Sequence, residues 1–399
     1  MNEKLIVKNF GPIKDAELDL KKVTVFIGPQ GSGKSTLAKL VAICKDSEFL
    51  ENKYIGSDGM LFFIKHEIQY FLDNSKFEYE NPEYVYASSF PYYSEFKPIN
   101  PVPRYFFTGE NPNFPDFESF ANLLYKKVDG KTGSFESSDL IPLKKYFASI
   151  AKNHIIYIPT DRLMLSSVSD SLLSLLSADV TLKKSFIDFG KDFETARKNI
   201  PRLDINFLDI DYSYENNQNI VFHKKSGVQI PLSASSSGQQ SVIPLQLVVE
   251  HFSKKRNVSI IVEEPELNLF PNAQKHLIGY LSNRCTQGDN QLLMTTHSPY
   301  VLSSLNILLF AYQVANKYPE SAEEVEKIIP REQWINPDDF EAYYVGENEN
   351  GEKGGIRSIF NKKTGLIGEN ELDAISEDLG GEFDALMNIY RTKKRETVN

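Results

Sequence analysis

The chain holds two cysteines in 399 residues, Cys44 and Cys285. That is too few for a disulfide framework or a cysteine-built zinc site, and it points to a reducing cytoplasm. Long apolar runs are missing as well. None approaches the roughly 20 residues that span a bilayer, and Met1-Asn2-Glu3-Lys4 opens nothing like a signal segment, so no membrane role is expected. Positive charge is in deficit: 44 basic against 54 acidic residues give a net charge of −10. A broad basic surface for nucleic acid is thereby excluded, while a local patch stays open. There is no internal repeat, no heptad run of coiled-coil length and no low-complexity tract. The remainder is ordinary globular material, 41% hydrophobic and 25% charged, long enough for one large domain or for two or three ordinary ones.

What is present centres on Lys22-Val-Thr-Val-Phe-Ile-Gly-Pro-Gln-Gly-Ser-Gly-Lys-Ser-Thr36. Val23 to Ile27 reads as an apolar strand and Gly28 to Gly33 as a glycine loop. From Lys34 to about Cys44 a helix buries Leu37, Leu40 and Val41 at helical spacing. Gly-x-x-x-x-Gly-Lys-Ser between a strand and a helix is the pattern of a phosphate-binding loop. Glycines let the backbone turn its N–H groups inward as a nest for phosphate oxygens, and the positive end of the helix adds to that field. Lys34 can reach the β- and γ-phosphates, and the Ser35 hydroxyl can ligate magnesium.

Ahead of this loop, Leu5 to Phe10 and Ala16 to Leu20 read as two strands joined at Gly11-Pro12. Behind it, residues 46–150 change character. Prolines from Pro82 to Pro115 interrupt a stretch rich in Tyr and Phe, read as an inserted subdomain or lid with helices near 59–72 and 116–128. Its aromatics are expected to pack a small core, with base stacking as the alternative.

His154 to Ile158 is a nearly continuous apolar run ending in Pro159-Thr-Asp-Arg162, as suits a parallel strand buried on both faces. Residues 163–235 read as an arm, helical over about 166–198 and strand-like over Ile205–Tyr212, Ile220–His223 and Val228–Ile230. Asp209 and Asp211 alternate with Leu208, Ile210 and Tyr212, which favours a half-exposed strand over a paired-carboxylate metal site. Leu232-Ser-Ala-Ser-Ser-Ser-Gly-Gln-Gln-Ser241 offers hydroxyls and amides ahead of an apolar helix, Val242 to Phe252, with Pro244 tolerable in its first turn. The strand Val258 to Val262 ends in Glu263-Glu264-Pro265-Glu266. One carboxylate there can hold magnesium while the next orients and deprotonates the attacking water; a plain acidic turn is the bland alternative. The strand Leu292 to Met294 ends in Thr295-Thr-His-Ser-Pro299, placing His297 to hydrogen-bond a γ-phosphate or to serve a structural role.

The last hundred residues read as a helix near Tyr300–Ala315, strands at Glu341–Val345 and about Ile356–Phe360, and a final helix with Leu372, Ile375, Leu379, Phe383 and Leu386 on one face. Lys393, Lys394 and Arg395 make a basic, solvated tail. The runs at 23–27, 154–158, 258–262 and 292–294 are all short, apolar and followed by polar loops. In one parallel sheet those loops share the carboxyl edge, where ligands bind. The glycine loop, Arg162, Glu263, Glu264 and His297 are therefore expected to face one cleft.

In this order the motifs resemble the ABC-type ATPases of the SMC, RecF and OLD group. Gly28-Pro-Gln-Gly-Ser-Gly-Lys-Ser-Thr36 is similar to the Walker A loop, Ser236-Ser-Gly-Gln-Gln240 to the signature loop, and Val262-Glu-Glu-Pro-Glu-Leu-Asn-Leu-Phe-Pro271 to Walker B and the D-loop. Thr295-Thr-His-Ser-Pro299 is similar to the switch histidine. The signature carries Ser236-Ser-Gly238 where Ser-Gly-Gly is common, and Glu263 replaces the usual Asp. No Q-loop glutamine or Toprim nuclease pattern is found, so a nuclease would be a separate chain.

The resemblance implies an α/β P-loop NTPase, an ABC-type head over 1–45 and 151–399 with a mixed central sheet flanked by helices and antiparallel N-terminal strands. It implies ATP and Mg2+ as cofactors. Gly28, Pro29, Gln30, Gly31, Ser32, Gly33, Lys34, Ser35 and Thr36 would bind nucleotide, Ser35 and Glu263 would serve the metal, and Lys34, Glu264 and His297 would act in catalysis. Ser236, Ser237, Gly238 and Gln239 would clasp the γ-phosphate of a second copy, giving a head-to-tail homodimer or higher homo-oligomer. The expected role is an ATPase switch in cytoplasmic antiviral defence or DNA surveillance, working with a nuclease or toxin, with DNA or RNA open as ligands. Alternatives are a RecF-type repair ATPase, a transporter ATP-binding subunit and a non-hydrolysing ATP-dependent scaffold.

Overall fold

The fold is given by a computed structural model that describes residues 3–46, 71–80, 84–89, 93–98, 154–168, 182–368 and 380–389. The chain opens with β1 (Glu3–Phe10), β2 (Ile13–Leu20) and β3 (Val23–Ile27), followed by helix α1 (Lys34–Lys45). β1 and β2 alternate buried and exposed residues, the mark of a sheet with one dry face, whereas all five residues of β3 are buried. Strands β4 (Phe71–Glu80), β5 (Tyr84–Ser89) and β6 (Tyr93–Pro98) come next, then β7 (His154–Ile158).

β4 pairs antiparallel with β1, giving a five-stranded sheet in the order β2-β1-β4-β5-β6. Strands β4, β5 and β6 thus extend the N-terminal sheet, in the region that the sequence suggested as an inserted aromatic subdomain or lid. The reason is that β1 has a free edge whose backbone groups need partners. Of the two helices expected in this region, 116–128 lies outside the described residues. So does 59–72, apart from Phe71 and Leu72, which begin β4.

Helix α2 (Lys184–Asn199) leads into an antiparallel sheet of β8 (Arg202–Ile205), β9 (Ile210–Glu215), β10 (Gln218–His223) and β11 (Gln229–Pro231). Asp209 stands in the left-handed region at φ 58°, just before β9, and Tyr212 is buried while Asp211 is half-buried. Helix α3 (Ser237–Phe252) follows, then β12 (Val258–Glu263), α4 (Pro271–Cys285), β13 (Gln291–Thr296) and α5 (Pro299–Lys317). α3 starts five residues before its expected beginning, so Pro244 lies two turns inside it and not in the first turn. A capping box between Ser236 and Gln239 makes the earlier start favourable.

β14 (Phe340–Glu347) and β15 (Lys353–Ser358) complete the central sheet, ordered β15-β14-β3-β13-β12-β7. β7, β12, β13, β3 and β14 are parallel, and β15 runs antiparallel at the edge. The sheet is covered on both faces, as apolar parallel strands require. Val25, Ile260, Met294 and Ala342 join the main core shared with α2 to α5, and α1 packs on β7, β12 and β13. The described part of the last helix, 380–389, leaves Phe383, Leu386 and Ile389 exposed. Leu372, Ile375 and Leu379 of its expected apolar face lie outside the described residues.

One buried ion pair fastens α1 from below. Lys45 Nζ lies 2.6 Å from a Glu3 carboxylate oxygen, each side chain 5% exposed. Tyr79 and Gln291 donate to the same carboxylate at 3.2 and 3.0 Å. Burial alone pushes the Glu3 carboxyl up, but the Lys45 charge and the hydrogen bonds from Lys45, Gln291 and Tyr79 together hold it below its usual range.

Candidate functional site

The glycine loop joins β3 to α1 at the carboxyl edge of the sheet. Gly28, Gly31 and Gly33 all have positive φ, and two of them have no room for a side chain. A Cβ on Gly28 would stand 2.1 Å from the Val345 carbonyl oxygen of β14, and one on Gly33 would stand 2.4 Å from Ile13 Cδ1. The loop is thus wedged between the next strand and the N-terminal hairpin. Gly33 also caps α1, so the first-turn amides of a 12-residue helix open onto the loop.

Lys34, 5% exposed, donates from Nζ to the Gly28 and Pro29 carbonyls at 2.8 and 2.7 Å. Burial lowers its pKa to about 8, against the opposing pull of Glu264, Glu266 and Glu263. Those three carboxylates lie 229 to 232 positions away in sequence, but β3 and β12 flank β13 on either side and run parallel to it, so both motifs leave the same carboxyl edge of the sheet. Pro29, Gln30, Gly31 and Ser35 are exposed, and Thr36 is buried under the loop.

β12 delivers Glu263 and Glu264 to the same edge. Glu263 is 5% exposed; its Oε2 accepts from the Thr160 amide at 3.4 Å, and its Oε1 is buried with no partner. A buried carboxylate oxygen without a donor suits a cation, and the exposed Ser35 hydroxyl is a second oxygen of the kind magnesium takes. Ser32 Oγ is likewise buried and unpartnered, which suits a hydroxyl donating to phosphate. These residues fit a nucleotide with its magnesium. Among the described residues no cluster of three or more His, Cys, Asp or Glu forms a metal cage. A Walker-type site does not need one, because phosphate and water supply most of the ligands.

Glu264 has φ +43°, an uncommon conformation for a side-chain-bearing residue. Its amide donates to the Thr295 carbonyl at 2.9 Å, and its Oε1 lies 3.0 Å from His297 Nε2. Both side chains remain about one-third exposed, at 29% and 35%, and so are open to solvent at the sheet edge. Glu266, which sequence reasoning left without a role, organises this turn. Its Oε1 accepts from Thr296 Oγ1 at 2.7 Å and from the His297 amide at 2.9 Å. Burial pushes its carboxyl up, despite those hydrogen bonds. The signal was present as the third acid of Glu-Glu-Pro-Glu.

Arg162 does not face the cleft, contrary to expectation. It is fully buried and donates to the Pro159 and Glu263 carbonyls at 3.0 and 2.6 Å, to the Glu264 carbonyl, and to Ser241 Oγ at 3.0 Å. Burial lowers its pKa to about 10 against the field of Glu266, Glu263 and Glu264. It is a clamp on the backbone that carries the two acids. Position at a strand end could not separate a cleft arginine from a buried one.

Residues 236–239, expected from the sequence to form a signature loop, lie at the start of α3. Ser236 and Ser237 are exposed, while Gly238 and Gln239 are buried. The Gln239 side chain turns back to accept from the Ser236 amide at 3.3 Å, so its side chain serves the helix cap and Ser237 is left as the outward hydroxyl. A Cβ on Gly238 would meet the Asn268 carbonyl at 2.7 Å, which seats the start of α3 against the turn that follows β12 in the same chain. The geometry brings together the loop, Lys34, Glu263, Glu264 and His297 at one sheet edge, without a hydrogen bond or ion pair from residues 236–239 to the loop among the described residues.

Comparison with known proteins adds the following. The family model described as AAA ATPase domain matches residues 1–208 and 166–302. A curated relative, the OLD nuclease of Thermus scotoductus, is 23% identical over 332 residues, covering 75% of this chain and 59% of the relative. The chain thus spans about three-fifths of that protein's length. Two solved structures are similar. The SMC head domain from Thermotoga maritima is 14% identical, with a TM-score of 0.36 over 76% of this chain and 91% of that one. An Smc head bound to the C-winged helix domain of ScpA is 11% identical, with a TM-score of 0.44 over 92% of this chain and 99% of that one.

Proposed function

The chain belongs to the AAA ATPase domain family, and on that premise we propose that it is an ATP-hydrolysing switch whose heads associate head to tail around ATP. The observation that carries this reading is the meeting of three motifs at one sheet edge. Lys34 sits on the glycine loop within the field of Glu263 and Glu264, and Glu264 stands 3.0 Å from His297. In this reading Lys34 and the loop amides hold the β- and γ-phosphates, and Ser35 with Glu263 Oε1 serves magnesium. Magnesium, when bound, neutralises charge on the β- and γ-oxygens. Glu264 orients the attacking water and takes its proton, and His297 holds Glu264 in place and reaches toward the γ-phosphate. Ser236, Ser237 and the α3 amides engage the nucleotide of a second copy, with Gly238 and Gln239 shaping that helix start. ATP then favours the closed pair and hydrolysis releases it.

The biological role proposed is antiviral defence or DNA surveillance in the cytoplasm, with a nuclease or toxin as a separate polypeptide and DNA or RNA as trigger. The likeness to a protein named as a nuclease supports it. Phosphate release with and without nucleic acid tests the reading. Lys34→Ala should abolish nucleotide binding. Glu264→Gln should keep it, lose about 100-fold or more in turnover and accumulate the dimer. Unchanged hydrolysis in Glu264→Gln would remove the general base. A purified protein that bound no nucleic acid and captured no partner from its host would remove the defence role.

A further inference from the structure

Residues 159–166, the short turn after β7, hold the hydrolytic acids at one end and α3 at the other. On the acid side, Arg162 grips the Glu263 and Glu264 carbonyls, and the Thr160 amide donates to the Glu263 side chain at 3.4 Å. On the α3 side, Arg162 Nε donates to Ser241 Oγ at 3.0 Å, and Ser166 Oγ donates to Gln240 Oε1 at 2.7 Å. The Gln240 amide in turn donates to the Ser233 and Ser235 carbonyls at 3.1 and 2.7 Å, tying the strand-to-helix turn that precedes Ser236. Arg162 and Ser241 are both fully buried. A buried guanidinium is costly to desolvate, and here the cost is offset by donors to three backbone carbonyls and a hydroxyl. What the guanidinium adds is a rigid planar fork joining two backbones.

We propose that Arg162 is a positioning residue that couples α3 to the Glu263–Glu264 turn. Engagement of a second copy's nucleotide at residues 236–239 thereby sets Glu264 for hydrolysis in the same chain. The proposal rests on the ATPase reading above. Ser236 and Ser237 lie four to five residues from Ser241, a little over one helical turn, so a movement of the helix start reaches Ser241 directly. A shift of α3 relative to Arg162 pulls on the Glu264 carbonyl, next to the left-handed φ that aims its side chain. The two sites of a dimer then fire together, because each chain's acids answer to the nucleotide held by the other.

Removing Arg162 would unfold the turn, so Ser241→Ala, which deletes one acceptor and leaves the carbonyl contacts, carries the test. Hydrolysis is followed against ATP concentration, alongside fluorescent-ATP binding and the thermal midpoint. The expected wild-type curve is sigmoidal. Ser241→Ala should give a hyperbolic curve with turnover reduced about tenfold, the scale of one hydrogen bond to a charged group. Its nucleotide affinity should stay at the wild-type value while the midpoint falls only by the few degrees that one unpaired donor of a buried guanidinium costs; a merely structural role for the bond would lower the midpoint and leave the curve sigmoidal. A sigmoidal Ser241→Ala curve at wild-type turnover would overturn the coupling while leaving the ATPase intact, as would a hyperbolic wild-type curve. A wild type that binds ATP without hydrolysing it, or does not bind it, would overturn the ATPase reading and the coupling together.

Discussion

Lys45→Met is expected to destabilise the head by about 3–5 kcal/mol, because it strands a buried carboxylate. Lys45 ends α1, whose opposite end carries Lys34 and Ser35, and its ammonium is 2.6 Å from Glu3 with both side chains 5% exposed. Tyr79 and Gln291 satisfy part of the Glu3 carboxylate but supply no countercharge. Glu3→Gln with Lys45→Met buries no charge and should recover most of the loss, giving a coupling of about 2 kcal/mol or more in the cycle.

The pH dependence supplies a second signature. In the wild type the Glu3 carboxyl is held below its ordinary value of 4.5. The contribution of the pair is therefore complete above that value and is lost as pH falls through the lower native value. In Lys45→Met burial acts without the opposing charge, so the carboxyl rises and protonation relieves the variant. The gap between wild type and Lys45→Met should narrow from about pH 7 to about pH 4. Denaturant unfolding followed by circular dichroism measures both effects. A single variant within about 1 kcal/mol of wild type, or a gap that does not change with pH, would refute the argument.

Gly28→Ala forces a Cβ to within 2.1 Å of the Val345 carbonyl at φ +150°. Calorimetric ATP titration should show affinity reduced by about tenfold or more, and wild-type affinity would mean that the loop and β14 part easily. Lys34, with a pKa of about 8, is raised when phosphate charge arrives, so binding takes up a proton. Nucleotide affinity should therefore fall as pH rises above about 8; a flat fluorescent-ATP titration from about pH 7 to about pH 9 would show that the ammonium is not used.

The sequence by itself determined the elements whose signals are local. Val23–Ile27, the glycine loop and α1 were legible because strand, turn and helix preferences follow one another without a break from Val23 to Lys45. That β7, β12, β13 and β3 share one parallel sheet was legible too, since short apolar runs with polar ends suit strands buried on both faces; their order was not. That pattern put Lys34, Glu263, Glu264 and His297 at one edge before any contact was known. The tertiary structure decided which buried polar group meets which. Arg162 sits in the same kind of loop as its neighbours, yet it turns inward to backbone carbonyls 101 and 102 residues away. Glu266 and Glu3 find partners 30 and 288 residues distant, and β4 joins β1 from beyond the glycine-loop helix. Periodicity reports whether a residue is buried. The identity of its partner depends on how separate elements pack, and a buried charge is tolerable only where that packing brings a donor or an opposite charge to meet it.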